Sequence, residues 1–139
     1  MTITPLGAAL LGVAIGLSAC SEGVPRVVQA TQVESPSRNV AATVEVVDNG
    51  LGFGQGALYD EIHLGPSRHG SFAHGDKDES VIYYAESTYG AGLPPQIEWV
   101  AADQLRVTVD PKSRPEKSIH RAHGVSIEYR TSAGESLVR

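Results

Sequence analysis

Gln96-Ile97-Glu98-Trp99-Val100-Ala101-Ala102-Asp103-Gln104-Leu105-Arg106-Val107-Thr108-Val109-Asp110, residues 96–110, decides how this chain is read. Ile97 and Trp99 alternate with Glu98, a polar break at Ala102-Asp103-Gln104 follows, and Leu105, Val107 and Val109 then alternate with Arg106, Thr108 and Asp110. A period of two puts one set of side chains on each face of a pleated strand. The break is built from turn-forming residues. The stretch predicts two strands joined by a tight turn and ended by Pro111, which has no N–H to give to a ladder.

The same period recurs on both sides. Val40, Ala42, Val44 and Val46 alternate with Ala41, Thr43 and Glu45 up to the turn signal Asp48-Asn49-Gly50. Leu58 to Leu64 predicts a second strand, with Ile62 and Leu64 inward and Glu61 and His63 outward. Ser80 to Glu86, whose Val81-Ile82-Tyr83-Tyr84 is apolar on both faces, predicts a central strand. In the last, Val125, Ile127 and Tyr129 alternate with Ser126, Glu128 and Arg130. No stretch after Cys20 keeps a helical stripe. The expected fold is all-β, an antiparallel meander of about six strands forming a small sandwich or open barrel, with Trp99, Tyr83, Ile62, Val107 and Ile127 in its core.

With 139 residues, of which 41% are apolar, the chain has room for one ordinary domain. A net charge of −5 with interspersed signs offers no basic face for a phosphate backbone, so nucleic acid is not an expected partner. A single cysteine excludes an intrachain disulfide and a cysteine-rich zinc site.

Thr2 to Ala19 carry no charged side chain, and Leu6 to Leu17 is an almost unbroken apolar run ending in Leu17-Ser18-Ala19-Cys20. The run has signal-peptide length and falls short of a membrane span, which takes roughly 20 residues. Leu17-Ser18-Ala19-Cys20 resembles the lipobox of bacterial lipoproteins, although no Lys or Arg precedes the apolar run. The resemblance implies cleavage after Ala19, lipidation (including palmitate) of Cys20 and membrane attachment through that anchor. Ser21, rather than Asp, after the cysteine implies the outer membrane, periplasmic side, in a Gram-negative cell. Several acyl chains, each CH₂ contributing about 0.8 kcal/mol, hold a domain at a membrane where one chain does not. The expected organisation is a signal peptide over 1–19, the lipidated Cys20 and a Pro/Ser-containing tether over 20–38, and a single β domain over 39–139. The strand pattern around Gln96 to Val100, Asp103 to Val107 and Gly124 to Tyr129 is similar to small uncharacterised bacterial domains found behind lipoprotein signals. That similarity implies a fold and an envelope address, with no assigned activity.

The residues that carry chemistry form no established motif. Gly50, Gly52, Gly54 and Gly56 surround Phe53, but they lack the GxGxxG spacing and the following helix of a dinucleotide loop. No GxSxG elbow surrounds Ser71. Asp60 and Glu61 are consecutive, so on a strand they face opposite sides and share no substrate. Of the histidines His63, His69, His74, His120 and His123, the last two are the candidate metal ligands, provided their loop meets Asp76 or Asp78. Lys112, Arg114, Lys117 and Arg121 form the most basic stretch and are the candidate contact for an anionic surface or an acidic partner. Tyr89 and Leu93, beside Pro94-Pro95, form a second candidate contact.

The leading expectation is a membrane-anchored envelope lipoprotein serving as a non-catalytic binding or structural module for an envelope protein or polymer, with no cofactor. The alternatives are a periplasmic metal-binding protein using the loop histidines and a hydrolase acting on envelope material.

Overall fold

A computed structural model describes residues 24–50, 57–66, 74–88 and 92–137. The leader, Cys20, Phe53, His69, Ser71 and Tyr89 lie outside them. The described residues are all-β, with strands β1 Arg26–Glu34, β2 Val40–Asp48, β3 Leu58–Pro66, β4 Val81–Glu86, β5 Gln96–Ala101, β6 Gln104–Val109, β7 Pro115–Ser118, β8 Arg121–Ala122 and β9 Val125–Thr131. They form two sheets, β1-β2-β3-β4-β7 and β5-β6-β9-β8.

The two sheets share one core. Ala42, Val44, Ile62, Leu64 and Tyr83 from the first meet Leu105, Val107, Val109, Val125, Ile127 and Tyr129 from the second, giving a small sandwich. The alternating residues of the 96–110 hairpin and of β9 supply the second sheet's inner face. Trp99 stands at the margin of the core, half-buried, where its Nε1–H donates to the Val33 carbonyl at 3.0 Å. It ties β5 to β1 and leaves the centre to smaller residues.

Three features depart from the expected meander. β6 and β9 pair in parallel, Leu105 opposite Ile127 and Val107 opposite Tyr129. Parallel neighbours need a crossover, and residues 110–124 provide it by visiting the first sheet as β7 and returning as β8. The stretch read as a basic loop therefore contains two short strands. Finally, the sheet begins at Arg26 rather than Asn39, because the stretch read as tether contains β1, paired with β2. β1 is exposed along almost its whole length, so it lacks the apolar alternation that marks a half-buried strand.

Tyr129 links the layers: its hydroxyl donates towards the carbonyls of Ile82 at 3.0 Å and Ile119 at 2.9 Å. Burial pushes its phenol well above the ordinary range, so the proton needed for those bonds stays in place.

Asp60 faces away from Glu61, as consecutive strand residues do, and its carboxylate accepts from Ser87 Oγ at 2.7 Å. Burial raises its pKa despite that bond. A carboxyl whose folded pKa is raised binds its proton more tightly in the native state, so its contribution is present at acid pH and is lost as pH rises through the folded value. Asp60→Asn is expected to raise the melting temperature at neutral pH and to flatten its rise on mild acidification. Thermal scans across the acid range, read against the parent chain, check both.

Candidate metal centre

β2 and β3 are buried on both faces, and the face turned away from the second sheet is polar. The antiparallel register sets Glu45 directly opposite Glu61, with His63 two residues further along β3 on the same face. His74 reaches the same point from the connection that leads to β4. Glu61 and His63 are almost fully buried, Glu45 is 8% exposed, and His74 is half-buried. Like charges placed directly opposite in a sheet destabilise it, and burial aggravates the repulsion. A cross-strand Glu pair inside a protein therefore points to a positive partner.

Among the described residues, Glu45, Glu61, His63 and His74 form a group whose ligand atoms all lie within 4.8 Å of one another. His63 Nε2 lies 3.1 Å from Glu61 Oε2 and 3.5 Å from Glu45 Oε2. His74 Nδ1 lies 3.1 Å and 3.6 Å from the same two oxygens. Donor atoms bound tetrahedrally to one ion at about 2.0–2.1 Å are separated by roughly 3.3 Å. The four separations bracket that edge length.

Hydrogen bonding around the group is directional. Ser80 Oγ donates its one proton to Asp78, so at 2.9 Å from His63 Nδ1 it accepts the Nδ1–H. His63 Nε2 then faces two carboxylate oxygens, and a proton or a metal ion must lie between them. Such an outer partner, fixing the ring and its tautomer, is what metal-binding histidines generally have. Glu61 Oε1 accepts the Gly75 N–H at 2.9 Å. Burial pushes the Glu61 carboxyl up, but the bonds from His63, His74 and Gly75 outweigh it and hold its pKa below the ordinary range. Glu45 Oε2 is different: it is buried with no hydrogen-bond partner. A buried carboxylate oxygen with no hydrogen bond is costly, and a cation coordinated between it and the two imidazoles would offset that cost.

Lys117 Nζ donates to the carbonyls of Asp76 and Asp78, both at 2.8 Å, and so pins the connection carrying His74 and Asp78. A hollow of about 70 Å³ lined by Tyr59, Tyr84, Glu61 and His74 opens beside the group. Tyr59 and Tyr84 stack there with centroids 4.7 Å apart.

No family model, curated protein or solved structure matches this chain.

The residues singled out from sequence lie elsewhere. His120 sets its ring edge-on to Tyr129, centroids 5.2 Å apart, and His123 (φ 51°) with Gly124 (φ 76°) forms the two-residue turn between β8 and β9. Neither belongs to the four-residue group. Of the basic residues, Lys117 is occupied as described and Arg114 donates to the carbonyls of Pro111 and Ser113, while Lys112 and Arg121 are exposed on the crossover. His63 and Glu61 face outward from the core, as their alternation predicts, but His74, Gly75 and Ser80, from the segment leading into β4, bond to them on that face. The signal within the sequence was an unusual pair of polar residues, Glu61 and His63, on a strand otherwise rich in apolar residues.

A separate groove of about 360 Å³ runs between the β1–β2 hairpin and the segment Pro94 to Ile97, lined by Gln29, Thr31, Val33, Val44, Val46 and Pro95 among others. None of its lining residues is ionisable, so the chemistry converges on the carboxylate–histidine group instead.

Proposed function

We propose that this chain is a metal-binding domain of the cell envelope, taking one divalent transition-metal ion through Glu45, Glu61, His63 and His74 and held at the membrane by a lipidated Cys20. The observation that carries the metal reading is the buried Glu45 oxygen, which makes no hydrogen bond yet faces His63 Nε2 at 3.5 Å and His74 Nδ1 at 3.6 Å. Two carboxylates balance the charge of a divalent ion, which suits a site closed to most water. Two imidazole nitrogens favour zinc and its transition-metal neighbours over calcium and magnesium, which take oxygen ligands. The envelope address is supported by the apolar leader and the sequence Leu17-Ser18-Ala19-Cys20.

Full-length protein purified without an affinity tag, stripped with a chelator and titrated with Zn(II), tests the reading. Saturable binding of one ion per chain is expected, weakening as the pH falls because protons compete for the same ligand atoms. No binding above that of a chain lacking Glu45 and His63 would remove the metal from the account. Ser80→Ala removes the partner that orients His63 without removing a ligand. It is expected to weaken zinc binding by about 10–100-fold. The same titration measures it, and Ser80→Thr, which retains the hydroxyl, restores the affinity.

A further inference from the structure

Among the described residues, two buried side-chain oxygens make no hydrogen bond, Glu45 Oε2 and Thr43 Oγ1. Both stand on β2, on the face turned away from the core that Ala42 and Val44 enter, and two residues along a strand is roughly 7 Å. A cation held by Glu45, Glu61, His63 and His74 accounts for the first oxygen. It leaves the second without a partner.

Thr43 is buried, and Gln32, its neighbour on β1, is exposed and does not bond to it. On β3 its neighbour is His63, directly opposite, and the Cβ atoms of such a pair lie about 4.5–5.5 Å apart. His63 has no nitrogen to spare: Nδ1–H is given to Ser80, and Nε2 faces the two carboxylates. The hydroxyl therefore stands beside the centre and outside its hydrogen bonding. Nor can it join the four donors. Its oxygen sits one bond beyond Cβ, whereas the Glu45 carboxylate oxygens sit three bonds out, so it stops short of the point where the donors meet. Buried polar groups that the protein leaves unserved are commonly served by water, which needs further polar partners of its own. The ion is one such partner. Two carboxylates already balance a divalent charge, so a neutral ligand suits this position better than an anion. Zinc-type ions also accept a fifth ligand.

Resting on the metal reading above, we propose that the ion carries a fifth ligand, a water molecule held against Thr43 Oγ1. The ion polarises the water, and one of its O–H groups donates to the Thr43 oxygen, so the orphaned hydroxyl gains its partner without any protein atom moving. Thr43 is a positioning residue, since it touches the water and not the ion. In a closed structural centre protein donors fill every position, whereas a bound water marks a centre whose ligand can exchange. The position takes small neutral oxygen donors.

Full-length protein stripped with a chelator and loaded with Co(II), whose visible bands are stronger in four-coordinate than in five-coordinate sites, tests the water. The parent chain is expected to show the weaker, five-coordinate bands. Thr43→Val keeps the branched shape and removes the hydroxyl, so it is expected to bind Co(II) and to show bands several-fold stronger, those of a four-coordinate ion. Thr43→Ser retains the hydroxyl and is expected to restore the parent spectrum, which separates loss of the hydrogen bond from disturbance of the strand. A parent chain that binds no Co(II) overturns the metal reading, and the water with it. Co(II) bound with four-coordinate bands in the parent, or with the same bands in the parent and Thr43→Val, overturns the water alone.

Discussion

His63→Ala is expected to weaken zinc binding by more than about 100-fold, beyond the loss typical of removing an outer-shell partner. Of the four candidate donors, His63 is the one held most firmly, since its ring is fully buried and its second nitrogen donates to Ser80. Its loss removes one of four donors and leaves Glu45 opposite Glu61 with a single imidazole between them. The linked effect on stability is measurable. An ion present at 100 times its dissociation constant stabilises the folded state by about 2.7 kcal/mol. The parent chain therefore gains several degrees of melting temperature on adding zinc, and His63→Ala gains none. His63→Gln preserves bulk and hydrogen bonding without an imidazole, so it separates loss of the ligand from loss of packing. His120→Ala is the control: its ring lies against Tyr129, away from the four-residue group, and zinc affinity is expected to remain that of the parent. Calorimetric titration, with thermal scans in chelator and in zinc, reads all four proteins. Equal zinc responses in the parent chain and both His63 variants would rule out the assigned centre.

Tyr83→Ala is expected to cost about 3–5 kcal/mol, the range for deleting a large buried aromatic side chain. Tyr83 is fully buried, its ring stacks against Tyr129 across the sandwich with centroids 5.9 Å apart, and its hydroxyl bonds to Ser113 on the crossover. One residue thus joins β4, β9 and the turn after β6. Domains of this kind are stable by about 5–15 kcal/mol in total, so this loss is a large share. Urea denaturation in chelator, which removes any contribution from metal, measures it. Tyr83→Phe keeps the ring and is expected to lose only about 1 kcal/mol for the hydrogen bond. A loss below about 1 kcal/mol for Tyr83→Ala would mean that the interlayer contact does not hold the sandwich together.

Strands with apolar alternation were legible in the sequence. Tyr83, Ile62, Val107 and Ile127 were placed in the core by period alone, and all four are buried. Trp99 is only half-buried, because on the edge strand β5 its large side chain finds its partner at the margin, in the Val33 carbonyl. β1 escaped the same reading for the opposite reason. Its membership of the sheet rests on backbone pairing with β2, and backbone bonds leave no mark on side-chain pattern.

The histidines show the limit most clearly. His120 and His123 drew attention by their closeness in sequence, yet ligand atoms converge through strand register and chain return. Glu45 and Glu61 are separated by a whole hairpin, and His74 arrives from a connection that the alternation of β3 does not predict.

Period-two alternation, a reversal at Ala102-Asp103 and the absence of any helical stripe were sufficient to make this an all-β protein and to divide its strands into inner and outer sets, because the direction a side chain takes on a strand is a local property of the backbone. Which outer residues are solvated and which are buried was decided only when β2 paired with β3 and residues 74–80 packed against them. Register and enclosure depend on residues distant along the chain, and they turned an acid, a second acid and two imidazoles into one centre.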